Sequence, residues 1–171
     1  MALLGWLDPP GLSEAKSPAV VLKGNNSGRF ESRWSKVRIE KTNCVLLKGM
    51  EGAKLGVWVA HGEGRFTYWS SAVADAMETS GCVALRYLGP NDEPTQRYPF
   101  NPNGSPGGVA GITSACGRHL ALMPHPERCV LTWQWPHLAP PLLSPPGQSP
   151  RLTAPWSKLF QNAFDWCLEH Q

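Results

Sequence analysis

The sequence predicts an α/β domain whose sheet contains at least some parallel pairing, and three features carry that expectation. Ser70 to Thr79 reads as a helix capped by serine and closed by Gly81, and it leads directly into the apolar run Cys82 to Leu88. Short apolar runs bounded by glycine recur along the first half of the chain, as strands do. A second helix, from about Pro155 to His170, places Trp156, Leu159, Phe160, Ala163, Phe164 and Cys167 at helical spacing, a stripe expected to pack on the sheet as core.

With 171 residues the chain is long enough for one domain with a real core, spanning 1–171. A hydrophobic content of 42% against 17% charged excludes wholesale disorder, while 17 prolines and 17 glycines predict many turns. The net charge of +3 comes from basic residues that are scattered rather than striped, which argues against a nucleic-acid partner. No run approaches the roughly 18 apolar residues of a membrane span, and Met1 to Leu7 lacks the basic flank and the length of a signal peptide. Five cysteines, odd in number and spread from Cys44 to Cys167, form no disulfide framework. Reduced thiols fit a cytoplasmic protein.

In chain order, Ala2 to Leu7 is a short helical fragment that stops at Asp8-Pro9-Pro10, and Gly11 to Ser17 is a polar connection. Val20 to Lys23 and Arg29 to Glu40 read as strands around a Gly24 to Gly28 turn, the second with an imperfect two-residue alternation. Cys44 to Leu47 and Gly56 to Ala60 are further strand candidates. After the second of these comes His61-Gly62-Glu63-Gly64-Arg65-Phe66, a glycine loop with an imidazole and a carboxylate two positions apart. It is read either as a substrate-contact loop or as a plain glycine turn with solvated side chains. Gly89 to Gly108 is a long loop without the Gly-Lys-Ser/Thr ending of a phosphate cradle. Val109 to Thr113 and His119 to Met123 form a hairpin, and residues 136–155 are a proline-rich insert or surface loop.

The hairpin delivers the chain to Met123-Pro124-His125-Pro126-Glu127-Arg128. Side chains two apart on an extended segment share a face, so Glu127 can orient His125, and the flanking prolines restrict the backbone that holds them. This is a general base and its orienter, two thirds of a catalytic triad. A thiol nucleophile belongs on a tight strand-to-helix turn with small neighbours, and none of the five cysteines has that context. Cys116, His119, His125 and Cys129 include zinc-ligand types, but their spacing matches no compact finger.

Met-Pro-His-Pro-Glu-Arg over 123–128 resembles the His and Glu motif of class I glutamine amidotransferases. Residues 59–66, 98–112 and 155–163, with Gly-Arg-Phe-Glu-Ser-Arg-Trp (28–34) and Gly-Met-Glu-Gly (49–52), are similar to the C-terminal glutaminase domain of the phosphoribosylformylglycinamidine synthases. The resemblance implies a flavodoxin-like, three-layer domain with His125 as base, Glu127 as orienter, and His61 and Glu63 in a loop near the site. It implies glutamine as substrate and the synthetase region of the family as partner. ATP and magnesium serve that region and not this chain, and no metal or cofactor is held here. Ala-Leu-Leu-Gly-Trp (2–6) resembles the helix that follows the nucleophile turn, so the early strands and the nucleophile are expected to be missing. The expectation is a fragment that does not hydrolyse glutamine alone and is poorly soluble or partly unfolded. The alternative is a non-catalytic remnant that binds or regulates a partner.

Overall fold

A computed structural model describes residues 1–11, 18–137 and 152–170. The polar connection read over 11–17, apart from Gly11, and most of the proline-rich insert lie outside the described residues.

The strands are β1 (Val20–Gly24), β2 (Glu31–Ile39), β3 (Lys54–His61), β4 (Glu63–Tyr68), β5 (Val83–Tyr87), β6 (Val109–Thr113), β7 (Leu120–Leu122) and β8 (Pro124–His125). Among the described residues two α-helices accompany them, α1 (Ser71–Thr79) and α2 (Ser157–Glu169). β1 and β4 form a two-stranded ribbon, and the rest form a six-stranded sheet in the order β7-β6-β5-β2-β3-β8. Every pairing is antiparallel. The strands at the two edges, β7 and β8, are separated in sequence by Met123 alone. Met123 donates its N–H to Ala110 of β6, and the next residue, Pro124, pairs with Val59 of β3. One residue cannot bridge the width of a flat six-stranded sheet at roughly 4.8 Å per strand, so the sheet curls until its edges nearly meet. The result is a nearly closed barrel.

This architecture overturns the three-layer, flavodoxin-like expectation and the parallel pairing with it. The succession of α1 and β5 suggested a parallel crossover, but β4, the strand before α1, belongs to the ribbon, so the helix passes between two sheets. The two helices among the described residues are also too few to cover both faces of an open parallel sheet.

Of the local signals, the first helix and the core strands hold, while two others are corrected. Ser70 caps α1 by accepting the Val73 N–H, and Gly81 leaves the helix at φ +68°. Val37, Ile39, Val57, Val59, Leu85 and Tyr87 are buried together, with Trp156 and Leu159 of the closing segment packed on them. Cys44 to Leu47 is not a strand; Val45–Leu47 makes a single 3-10 turn, and Asn162 of α2 caps the carbonyls of Leu46 and Lys48. A four-residue apolar run does not distinguish the two by periodicity. The apolar stripe of α2 is core only in its first turn, since Phe160, Phe164 and Cys167 are exposed. Among the described residues no helix is long and apolar enough to cross a membrane.

Candidate active site

β8 is short because Pro124, its first residue, and Pro126, just after its last, leave few donors for a ladder. Its residues still pair with β3, Pro124 opposite Val59 and His125 opposite Trp58. The backbone then turns at His125 (φ −111°, ψ 80°) into a 3-10 turn over Pro126–Arg128, closed by the Cys129 N–H on the Pro126 carbonyl. The turn, and not an extended segment, brings Glu127 back onto the ring. His125 Nδ1 lies 2.6 Å from Glu127 Oε1. The imidazole is half-buried and the carboxylate exposed, with Arg128 Nε 3.8 Å from the same carboxylate oxygen.

Tryptophans hold this end of the barrel from outside. Trp58 donates its indole N–H to the Gln134 carbonyl at 2.9 Å, and Trp135 donates to the Cys129 carbonyl at 2.9 Å. A cavity of about 320 Å³ opens beside them, lined by Ser32, Trp58, Val59, Arg128, Trp133 and Gln134. It adjoins both the strand residue opposite His125 and the residue after Glu127.

His61 and Glu63 do not form a second pair. His61 ends β3, Glu63 begins β4, and only Gly62 intervenes, so the expected loop is a strand-to-strand junction. Glu63 is exposed, whereas His61 is 5% exposed and points at Asn25. Asn25 uses both amide hydrogens, on the carbonyls of Arg29 and His61, so its Oδ1 accepts from His61 Nδ1 at 3.1 Å. That puts a proton on Nδ1, and in the neutral ring it leaves the lone pair on Nε2, a buried atom with no hydrogen-bond partner among the described residues. Burial pushes the His61 pKa down, and the charges of His125 and Arg33 push it further the same way.

Glu31 lies opposite His61 in the β2–β3 register, is buried, and pairs with Arg33. Arg33 also donates to the Tyr98 hydroxyl at 3.0 Å and the Pro99 carbonyl at 3.2 Å. Glu31 and Arg33 lie in the 28–34 stretch that carried the family resemblance, but neither they nor Asn25 were given a role at the site. The available signal was parity, because Glu31 and Arg33 share the strand face of Val37 and Ile39, where a charged pair needs a reason.

The 101–105 loop is a clamp. Asn103 donates to the Gly64 carbonyl at 2.9 Å, and Ser105 Oγ accepts the Phe66 N–H at 3.0 Å, which ties the loop to β4. The four zinc-type residues do not gather, and among the described residues no cluster of three or more potential metal ligands exists. Cys129 turns its sulfur to the His125 carbonyl, and Cys116 pairs with His119.

Residues 1–167 match the family described as the CobB/CobQ-like glutamine amidotransferase domain. The chain belongs to this family. It is 46% identical over 179 residues to human phosphoribosylformylglycinamidine synthase, covering 99% of the chain and 13% of that protein. It is 48% identical over 169 residues to the probable chloroplastic/mitochondrial phosphoribosylformylglycinamidine synthase of Arabidopsis thaliana, covering 97% of the chain and 12% of that protein. The amidotransferase chain therefore spans about an eighth of the length of these relatives. Among solved structures, PurLQS from Thermotoga maritima superposes with a TM-score of 0.57 at 25% identity, over 86% of this chain and 52% of that one. His125, Glu127, His61 and Glu63 lie within the matched span.

Proposed function

We propose that this chain carries the proton-transfer half of a glutaminase site, with His125 as general base and acid and Glu127 as its orienter. The observation that supports the reading is the 2.6 Å contact between His125 Nδ1 and Glu127 Oε1 at a strand end, in a chain of the glutamine amidotransferase family. With Nδ1–H committed to the carboxylate, Nε2 is left to exchange protons with a reacting group. In glutamine hydrolysis a thiolate attacks the carboxamide carbon, the leaving ammonia takes a proton from His125, and the ring then accepts one from the water that cleaves the thioester. His61 enters as a neutral, buried neighbour of the site, and Glu63 faces outward beside it.

The attacking thiolate comes from none of the five cysteines. Cys44, Cys82 and Cys129 are buried, and burial pushes the Cys129 thiol up to about 11. Cys116 lies beyond the opposite end of β7 from His125, and Cys167 lies on α2. The isolated chain is therefore expected to be inactive on glutamine. Its partner in this reading is the synthetase region of the phosphoribosylformylglycinamidine synthases, where ATP and magnesium activate formylglycinamide ribonucleotide and the ammonia completes a step of purine biosynthesis. Five free cysteines suit a reducing compartment such as the cytoplasm.

The test replaces the matching segment of the human relative with this chain. Glutamine-dependent synthesis should then be lost in His125→Ala while ammonia-dependent synthesis persists. Glutamine-dependent turnover that survives the substitution would sink the assignment.

A further inference from the structure

We propose that Cys116, in the β6–β7 turn, is a reactive thiolate site separate from His125 that exchanges with low-molecular-weight disulfides to form a reversible mixed disulfide. The proposal stands on a cluster of side chains and on the turn that holds them. Ser114 Oγ lies 3.2 Å from Cys116 Sγ, and His119 Nδ1 lies 3.8 Å from it. The same serine oxygen accepts the His119 N–H at 3.2 Å and sits 3.3 Å from Nδ1, so serine, histidine and thiol form one group. The Trp6 ring packs against His119 at 5.2 Å and limits where the imidazole can go.

The turn itself is fixed. The Ser114 N–H binds the His119 carbonyl, the Gly117 N–H binds the Ser114 carbonyl, and the Gly117 carbonyl accepts from Val45, each at 2.9 Å. Gly117 adopts φ +73°, and a β-carbon there would lie 2.2 Å from the Asn43 carbonyl oxygen, so only glycine fits. A rigid turn presents an exposed sulfur to solvent with its donors already in place.

Those donors favour the thiolate. The Ser114 hydroxyl first, then Arg118 and His119, lower the Cys116 pKa to about 6, and no carboxylate opposes them. Arg118 and His119 are the charged or titratable groups acting on it; the neighbours from other segments, Asn43 and Trp6, are neutral. The remaining thiols differ. Cys44, Cys82 and Cys129 are buried, and Cys167 is exposed with no hydrogen bond to its sulfur among the described residues.

In the exchange, the Cys116 thiolate attacks one sulfur of the disulfide, a new sulfur–sulfur bond forms as the old one breaks, and the other half leaves as a thiolate that water protonates. The disulfide is the oxidant and nothing else is consumed. At about pH 6 a thiol of pKa near 6 is about half ionised, against under ~1% for an ordinary thiol. Its lower basicity costs about tenfold in intrinsic nucleophilicity, leaving a net advantage of about tenfold.

The experiment exposes the 171-residue chain to oxidised glutathione across a pH series and quantifies the adduct at each cysteine by peptide mass spectrometry. Cys116 should react about tenfold faster than Cys167 at about pH 6 and level off above about pH 7, while Cys167 keeps accelerating. Ser114→Ala and His119→Gln should narrow the ratio, and Arg118→Gln, at an exposed position, supplies a variant that leaves the turn contacts intact. Equal rates at Cys116 and Cys167 overturn the proposal, as does a preference that all three substitutions leave unchanged.

Discussion

His125 Nδ1 and Glu127 Oε1 are 2.6 Å apart across a single 3-10 turn. Glu127→Gln keeps the size of the side chain but offers an amide that can bind the other tautomer of the ring. In the chimeric synthase, glutamine-dependent turnover should fall by about 10² to 10⁴ with ammonia-dependent turnover unchanged. Because both side chains are partly exposed, the same change should move stability by no more than about 0.5–1 kcal/mol. Full glutamine-dependent activity in the variant would contradict the orienting role.

His61 makes stability pH-dependent with a definite sign. Its folded pKa lies below the ordinary value of 6.5, so as pH falls below that value the unfolded chain takes up a proton that the folded chain refuses. Stability then declines by up to about 1.4 kcal/mol per pH unit until the folded value is reached, and it is insensitive to this group above about pH 7. Melting temperatures of the wild-type chain should drop more steeply between pH 7 and 5 than those of His61→Gln. Parallel curves for the two proteins would remove His61 from the account.

Gly56 gives way to the Trp34 indole: a β-carbon there would lie 2.2 Å from the ring. That ring cannot retreat freely, since Trp58 and Trp135 meet it edge-on at 5.0 and 5.1 Å. Gly56→Ala should destabilise the fold by about 1–3 kcal/mol through overpacking and alter the near-ultraviolet circular dichroism of the tryptophans. An unchanged melt would show that the cluster yields at no cost.

Phe160, Phe164 and Leu168 are 45%, 59% and 55% exposed along one side of α2. Such a stripe promotes self-association. Light scattering should show concentration-dependent growth for the wild-type chain and much less for Phe164→Glu combined with Leu168→Lys. A wild-type chain that stays monomeric at high concentration would refute this.

The sequence alone determined what neighbours in the chain decide. Ser70 and Gly81 bound α1, the β6–β7 hairpin was legible from its apolar runs and glycine turn, and the spacing of His125 and Glu127 singled out the pair later found in contact. Capping, turn chemistry and two-residue proximity act within a few residues and need no knowledge of the rest. The tertiary structure decided what depends on partners distant in sequence. Strand direction was misread because the neighbours of β5 are β2 and β6, not the strand before α1. Curling placed His125 against Trp58, and the β2–β3 register set Glu31 beside His61, pairings of residues about 67 and 30 positions apart. Asn25, 36 residues from His61, holds its ring, where sequence spacing had offered Glu63. Local preferences fix elements, but only the closing of the sheet chooses which side chains meet.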